Sequence, residues 1–184
     1  MTCGKIDFAC TRCRLSKGRT QVVPGVGSCS SPIVFIGEAP GGEEDLKGEP
    51  FVGRGGKLLD KVLKEAGVDR SEVFICNLIK CRPPSNRRPR KDEIAACSRF
   101  LESELRAVNP KVVCALGQTV ANHLLDDKKK MTELVKAERR LHLLGKDVRF
   151  FVAYHPAACL YQRKNIGSFR KSIEASLRAA RLRD

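Results

Sequence analysis

The sequence predicts one α/β domain over residues 1–184: a central, mostly parallel four-stranded sheet with helices on both faces. Three observations lead there. Short apolar runs bounded by Gly, Pro or Asn alternate with segments whose apolar residues recur at helical spacing. No internal repeat or low-complexity tract interrupts the alternation. A chain of 184 residues buries enough surface, roughly 70% of what it exposes unfolded, to fold without covalent staples.

The elements follow in order after an irregular basic N-terminal segment. Pro32 opens the run Ile33 to Ile36, and Gly37 closes it as a buried strand. From Gly55 to Gly67, Leu58, Leu59, Val62, Leu63 and Ala66 mark a helix that ends on a C-cap glycine. Val73 to Asn77 is a second strand. KCRPPSNRRPRK holds three prolines and cannot be regular structure. Asp92 to Val108 is a helix stopped by Asn109-Pro110, Lys111 to Leu116 a third strand, and Gln118 to Leu125 a helix. Lys128, Lys129 and Lys130 mark an exposed stretch. Val148 to Ala153 is the fourth strand, and Ser168 to Arg181 a basic closing helix. In sheets of this kind ligands sit beyond the carboxyl ends of the strands. GEAPGGEED, NLIKCRPPSNR, LGQT and YHPAA all fall at or after strand ends, so the unusual chemistry is expected on one rim, as one site.

Charge narrows the partner. Lys and Arg number 35 against 21 Asp and Glu, a net charge of +14 on a chain with 42% hydrophobic residues. That is a globular domain with a positive field, not a disordered basic tail. Arg82, Arg87, Arg88, Arg90 and Lys91 cluster beside the expected rim, as a phosphate-backbone footprint would. No apolar run approaches the roughly 18 residues of a membrane span, and MTCGKIDFACTRC lacks the apolar stretch of a signal peptide. The expectation is a cytoplasmic protein with no membrane partner.

The nine cysteines are an odd number without an export signal, which argues against a disulfide framework. Cys114, within KVVCALG, reads as a core thiol, and Cys3, Cys29, Cys76 and Cys159 as structural or incidental. Cys10 and Cys13 differ, because C-T-R-C sets two thiolates within reach of one metal beside cations that lower their pKa. Cys81 and Cys97 are the best candidates to complete the set. Four thiolates suit zinc and iron–sulfur centres alike.

The remaining motifs are weak one at a time. Gly37-Glu38-Ala39-Pro40-Gly41-Gly42 can expose backbone amides to an anion, but it is not a nucleotide P-loop. Phe51, in a Gly-rich approach to a helix, is a core residue or a platform for a base. Asn77 offers an amide donor and acceptor at a strand end, and His155 a donor at another. His123 and His142 read as structural.

Taken together and in order, CTRC, GEAPGGEEDLKGEPFVGRGGKLLD, CNLIKCRPPSNRRP, the helix with Cys97, ALGQTVA and YHPAA resemble the family-four, iron–sulfur-containing uracil-DNA glycosylases. The resemblance spans Ala9 to about Leu160. It implies a 4Fe-4S cluster on Cys10, Cys13, Cys81 and Cys97 that ties down the N-terminal segment. It also implies a uracil pocket formed by Glu38, Ala39, Pro40 and Phe51, with Phe51 stacking on the base. Asn77 would read the base edge and His155 meet uracil O2. Glu38 and His155 are the expected catalytic groups, with Glu38 orienting water, stabilising the cationic sugar or shaping the pocket. Arg82, Arg87 and Arg88 are expected DNA contacts, with Leu160 a wedge for the gap left by a flipped nucleotide. The expected activity is monofunctional hydrolysis of uracil from single- or double-stranded DNA by a monomer. Nothing in the sequence supports a sliding-clamp contact.

Two segments depart from the family pattern. KAERRLHLLGKD stands where a compact Arg-Gly turn is usual, and CLYQRKN follows YHPAA in place of the usual ending. The histidine with which a related branch traps DNA covalently is absent from Lys80 to Lys91. Two other readings compete: a nucleic-acid-binding module with a metal staple and no chemistry, and a sister glycosylase acting on another base.

Overall fold

An extended segment whose side chains are apolar on both faces must be covered on both faces, and Ile33–Gly37 is buried along its whole length at the centre of a sheet. The structure is a computed structural model that describes residues 2–181. Its elements are β1 (Val26–Gly27), β2 (Ile33–Gly37), α1 (Gly42–Lys47), α2 (Arg54–Glu65), β3 (Phe74–Asn77) and α3 (Lys91–Val108), followed by β4 (Val112–Leu116), α4 (Gln118–Leu125), α5 (Met131–Leu134), β5 (Arg139–Leu143), β6 (Lys146–Ala153), α6 (Pro156–Tyr161) and α7 (Ile166–Ala179).

The sheet has six strands in the order β1-β3-β2-β4-β6-β5, which corrects the expectation of four. The four central strands are the expected ones and run parallel. The two additions are antiparallel edges. β1 has two residues, one of them glycine, too short to show a pattern. β5 reads RRLHL because only one of its faces is covered, and a two-residue turn, Leu144-Gly145, joins it to β6. Both turn residues have positive φ, the hairpin geometry that follows the twist of the strands. The segment lacking a compact Arg-Gly turn is therefore an edge hairpin.

Alternation within the strands divides the core. Val34, Ile36, Phe74, Cys76, Val113, Ala115 and Phe150 face α3 and α4, while Ile33, Phe35, Ile75, Val112, Cys114 and Phe151 face α2 and α7. No helix among the described residues is long and apolar enough to cross a membrane. The N-terminal segment is fastened by several groups. Cys3 and Cys29, read as structural or incidental, are structural: they form a disulfide with Cα atoms 5.5 Å apart, which corrects the argument against disulfide pairing. The Lys5 amide donates to Ser103 Oγ, Arg14 pairs with Asp92, and the buried Asp45 carboxylate accepts the Thr20 amide.

Candidate active site

Because β3, β2, β4 and β6 run parallel, the turns after them open onto one rim. Those after β2, β3 and β6 bound a cavity of about 580 Å³ whose lining includes Glu38, Ala39, Pro40, Phe51, Asn77 and His155. LGQT does not line it. Gly117 instead backs the histidine, and a Cβ there would lie 3.3 Å from His155 Cβ.

The cavity floor is set by close approach. A Cβ on Gly37 would fall 2.3 Å from Asn77 Oδ1 and 2.4 Å from Phe51 Cζ, so only glycine lets both side chains meet over the strand end. Phe51 adopts φ 54°, a left-handed conformation that costs a bulky residue of order 1–3 kcal/mol. It is held there from outside the residue. Glu44 Oε1 accepts the amides of Val52 and Gly53 at 3.1 and 2.9 Å, and Oε2 accepts that of Gly41 at 3.1 Å. One carboxylate thus fastens the loop after β2 to the loop carrying Phe51. Sequence reading missed Glu44, because glycine at the N-cap has no side chain and so the usual Ser/Thr-x-x-Glu signal is absent, although the Glu44 carboxylate still reaches back to the Gly41 amide.

Asn77 is 3% exposed and its Oδ1 is buried without a hydrogen-bond partner among the described residues. An orphaned buried acceptor costs about 1–3 kcal/mol unless a ligand supplies the donor. The Phe51 and His155 rings, both in the lining, meet with centroids 5.8 Å apart and planes tilted by 33°. His155 Nδ1 accepts the Ala157 amide at 3.2 Å, which puts the proton of the neutral ring on Nε2. Burial pushes the imidazole down to about 4, against a smaller opposing pull from Glu44, so the ring is a neutral donor near pH 7. Glu38 is half-buried in the lining, and its carboxylate takes no hydrogen bond or ion pair from the described residues.

The basic residues divide. Arg88 is exposed. Arg82 donates to Asn86 Oδ1 at 2.7 Å, with its guanidinium 3.4 Å from where a Gly42 Cβ would stand. Arg87 borders the cavity, but both its terminal nitrogens hold the buried Glu93 carboxylate, at 2.8 and 2.6 Å. That bond, chiefly, holds Glu93 down to about 2. Arg87 therefore braces the loop, a role that spacing could not reveal. The exposed Arg54, Lys57 and Lys47 add unforeseen positive charge at the cavity mouth. Leu160 is half-buried, whereas the next residue, Tyr161, is 83% exposed beside the same cavity. His123 and His142 lie on the surface.

A second, smaller cavity is lined by Cys10, Cys13, Cys81 and Cys97, with Arg12, Arg19 and Lys80 around them and no carboxylate or imidazole in the lining. The Lys80 amide donates to Cys97 Sγ at 3.2 Å and Arg19 Nη1 to Cys81 Sγ at 3.3 Å. Burial pushes the Cys97 thiol up to about 11 and raises Cys81 too, so a metal ion would have to displace their protons. No three ligating side chains among the described residues converge as the ligands of one ion do.

The fold is an α/β domain with four parallel central strands, and an aromatic ring, a partnerless amide oxygen and a neutral imidazole line one cavity on its rim. The chain belongs to the uracil DNA glycosylase superfamily, whose family model matches residues 24–178. Within it, the chain is similar to the type-4 uracil-DNA glycosylase of Thermotoga maritima, at 46% identity over 85% of this chain and 80% of that protein. It is 42% identical to the type-4 enzyme of Archaeoglobus fulgidus over 84% of this chain and 80% of that protein. It is also 42% identical to that of Saccharolobus solfataricus, over 90% and 81% respectively.

Proposed function

We propose that the rim cavity receives a uracil turned out of DNA, and that the chain hydrolyses its glycosidic bond to leave an abasic site. The chain is a uracil-DNA glycosylase, a DNA-repair hydrolase. The observation that carries the pocket reading is the orphaned Oδ1 of Asn77, a lining residue of a cavity that His155, with its neutral Nε2–H donor, also lines.

Uracil within a duplex exposes neither its whole edge nor its C1′–N1 bond, so it must be flipped out at a cost of a few kcal/mol. Asn77 Oδ1 accepts from N3–H while the amide nitrogen donates to O4. Cytosine has an unprotonated N3 and an amino group there, which sets acceptor against acceptor and donor against donor. Phe51 stacks on the ring, and Gly37 makes room for Phe51 beside Asn77. As C1′–N1 breaks, negative charge grows on O2 and His155 Nε2–H donates to it, more strongly in the transition state than before it. Glu38, partnerless at the wall, orients the attacking water or stabilises the cationic sugar. Water adds at C1′, so no covalent enzyme intermediate forms. On the DNA side, Arg88 and Arg82 meet phosphates while Arg87 braces their loop. The exposed Tyr161 suits the gap left by the flipped base better than the half-buried Leu160.

Cys10, Cys13, Cys81 and Cys97 are the residues that would hold a 4Fe-4S cluster. An all-sulfur donor set in cationic surroundings fits a centre whose thiolates leave it net negative. Bound there, the cluster would supply covalent Fe–S links through Cys10, Cys13, Cys81 and Cys97. Holding it, these four cysteines would join the N-terminal segment, the turn after β3 and α3.

The test is a single-turnover assay on a uracil-containing oligonucleotide with a thymine control, beside iron content and visible absorbance. Alkali-labile sites at uracil alone are the expected result. A folded, iron-loaded, DNA-binding protein that leaves uracil intact would overturn the reading and favour the binding module.

A further inference from the structure

We propose that Lys80, held by Glu104, is a positioning residue for base selection that acts through Asn77. The inference rests on the pocket reading above and deepens it. Lys80 and Glu104 form an ion pair whose side chains are 1% and 0% exposed. Lys80 Nζ donates to Glu104 Oε2 at 2.5 Å and to the main-chain carbonyl of Asn77 at 2.8 Å. Glu104 Oε1 accepts the Gly25 amide at 2.7 Å. The main chain of Lys80 is tied as well: its amide donates to Cys97 Sγ, and its carbonyl accepts the Val23 amide at 2.7 Å.

Asn77 is the last residue of β3, where the ladder runs out. On the side of β2 the turn stays attached, since the Leu78 amide donates to the Gly37 carbonyl at 2.9 Å. The Asn77 carbonyl has Lys80 as its donor. If that peptide plane turned, the Asn77 side chain would move with it, and small displacements matter at a site that reads a base edge. Stability alone does not call for the charge. A buried ion pair is commonly matched by an apolar pair of similar volume, but an apolar pair cannot donate to a carbonyl. Position is what the ammonium supplies. The same residue also touches Cys97, so the fixed turn lies between the thiol cavity and the base pocket.

The test is the paired variant Lys80→Met/Glu104→Gln, which removes both charges at nearly constant shape and keeps an acceptor for Gly25. Four quantities are read in the iron-loaded protein: hydrogen exchange over residues 77–80, affinity for free uracil and free cytosine, affinity for undamaged duplex, and visible absorbance. The expected result is at least tenfold faster exchange at 77–80 with β4 amides unchanged. Uracil affinity is expected to fall at least tenfold, the preference over cytosine to narrow, and duplex affinity and absorbance to hold. Unchanged exchange, wild-type uracil affinity, or a parallel loss of uracil and duplex binding would overturn the proposal. If the pair does not fold, Lys80→Met alone, which also removes the donor to the Asn77 carbonyl, gives the same readouts with the same expected directions. A wild-type protein that neither binds nor excises uracil would end the pocket reading and the selection role together, while exchange would still report whether Lys80 fixes the turn.

Discussion

The rim cavity and the thiol cavity lie on either side of the turn after β3, yet they are held together differently. The pocket is fixed by the protein's own bonds: Glu44 collects three amides, Gly37 and Gly56 admit close contacts, and the Ala157 amide orients His155. The thiol cavity has two hydrogen bonds to sulfur, and its four cysteines come from the N-terminal segment, the turn after β3 and α3. The first is preorganised for chemistry. The second has few bonds of its own around the sulfurs.

That difference separates the expected effects of substitution. The largest are in the pocket. Asn77→Ala and His155→Ala should each slow single-turnover excision by roughly 10²–10³-fold, as loss of one transition-state hydrogen bond does, with melting nearly unchanged. A large fall in Tm with either variant would make the pocket a stability element. In the thiol cavity the order should reverse. Cys97→Ser is expected to remove the visible absorbance and lower Tm by roughly 10 °C, with activity lost only as the fold and DNA binding fail. An intact spectrum and wild-type melting would remove Cys97 from the ligand set.

Smaller effects sharpen the contrast. Cys29→Ser opens a disulfide closing a 26-residue separation, which should cost about 3.5 kcal/mol by loop entropy. The rate well below Tm should not change. Glu44→Gln keeps one acceptor oxygen in place of two and should slow excision roughly tenfold, with a stability loss of about 1 kcal/mol. The smallest expected effect is a flat line. With His155 at about 4, the rate should not respond to its titration above about pH 5, whereas a working imidazolium would make the rate climb as pH falls through about 6.5. Stability follows the opposite course. The unfolded chain takes up this proton near 6.5 and the folded protein only near 4, so the contribution is full at higher pH and lost as pH falls between them.

The sequence by itself determined the four parallel strands, because residues covered on both faces must be apolar in an unbroken run. It also determined the rim, because turns after parallel strands share one end. From these came Glu38, Phe51, Asn77 and His155 around one cavity, and the resemblance that put names to the cysteines. The edge strands escaped notice because one is too short to carry a pattern and the other is polar on its open face. Only the tertiary structure decided the partners of charged groups. Arg87 stands among free arginines in sequence but embraces Glu93, Lys80 looks like one more surface cation but is buried on Glu104, and Cys3 meets Cys29 across a folded segment. Apolar burial repeats along the chain and leaves a period to read. An ion pair or a disulfide is one meeting of two distant residues, and sequence spacing carries no record of it.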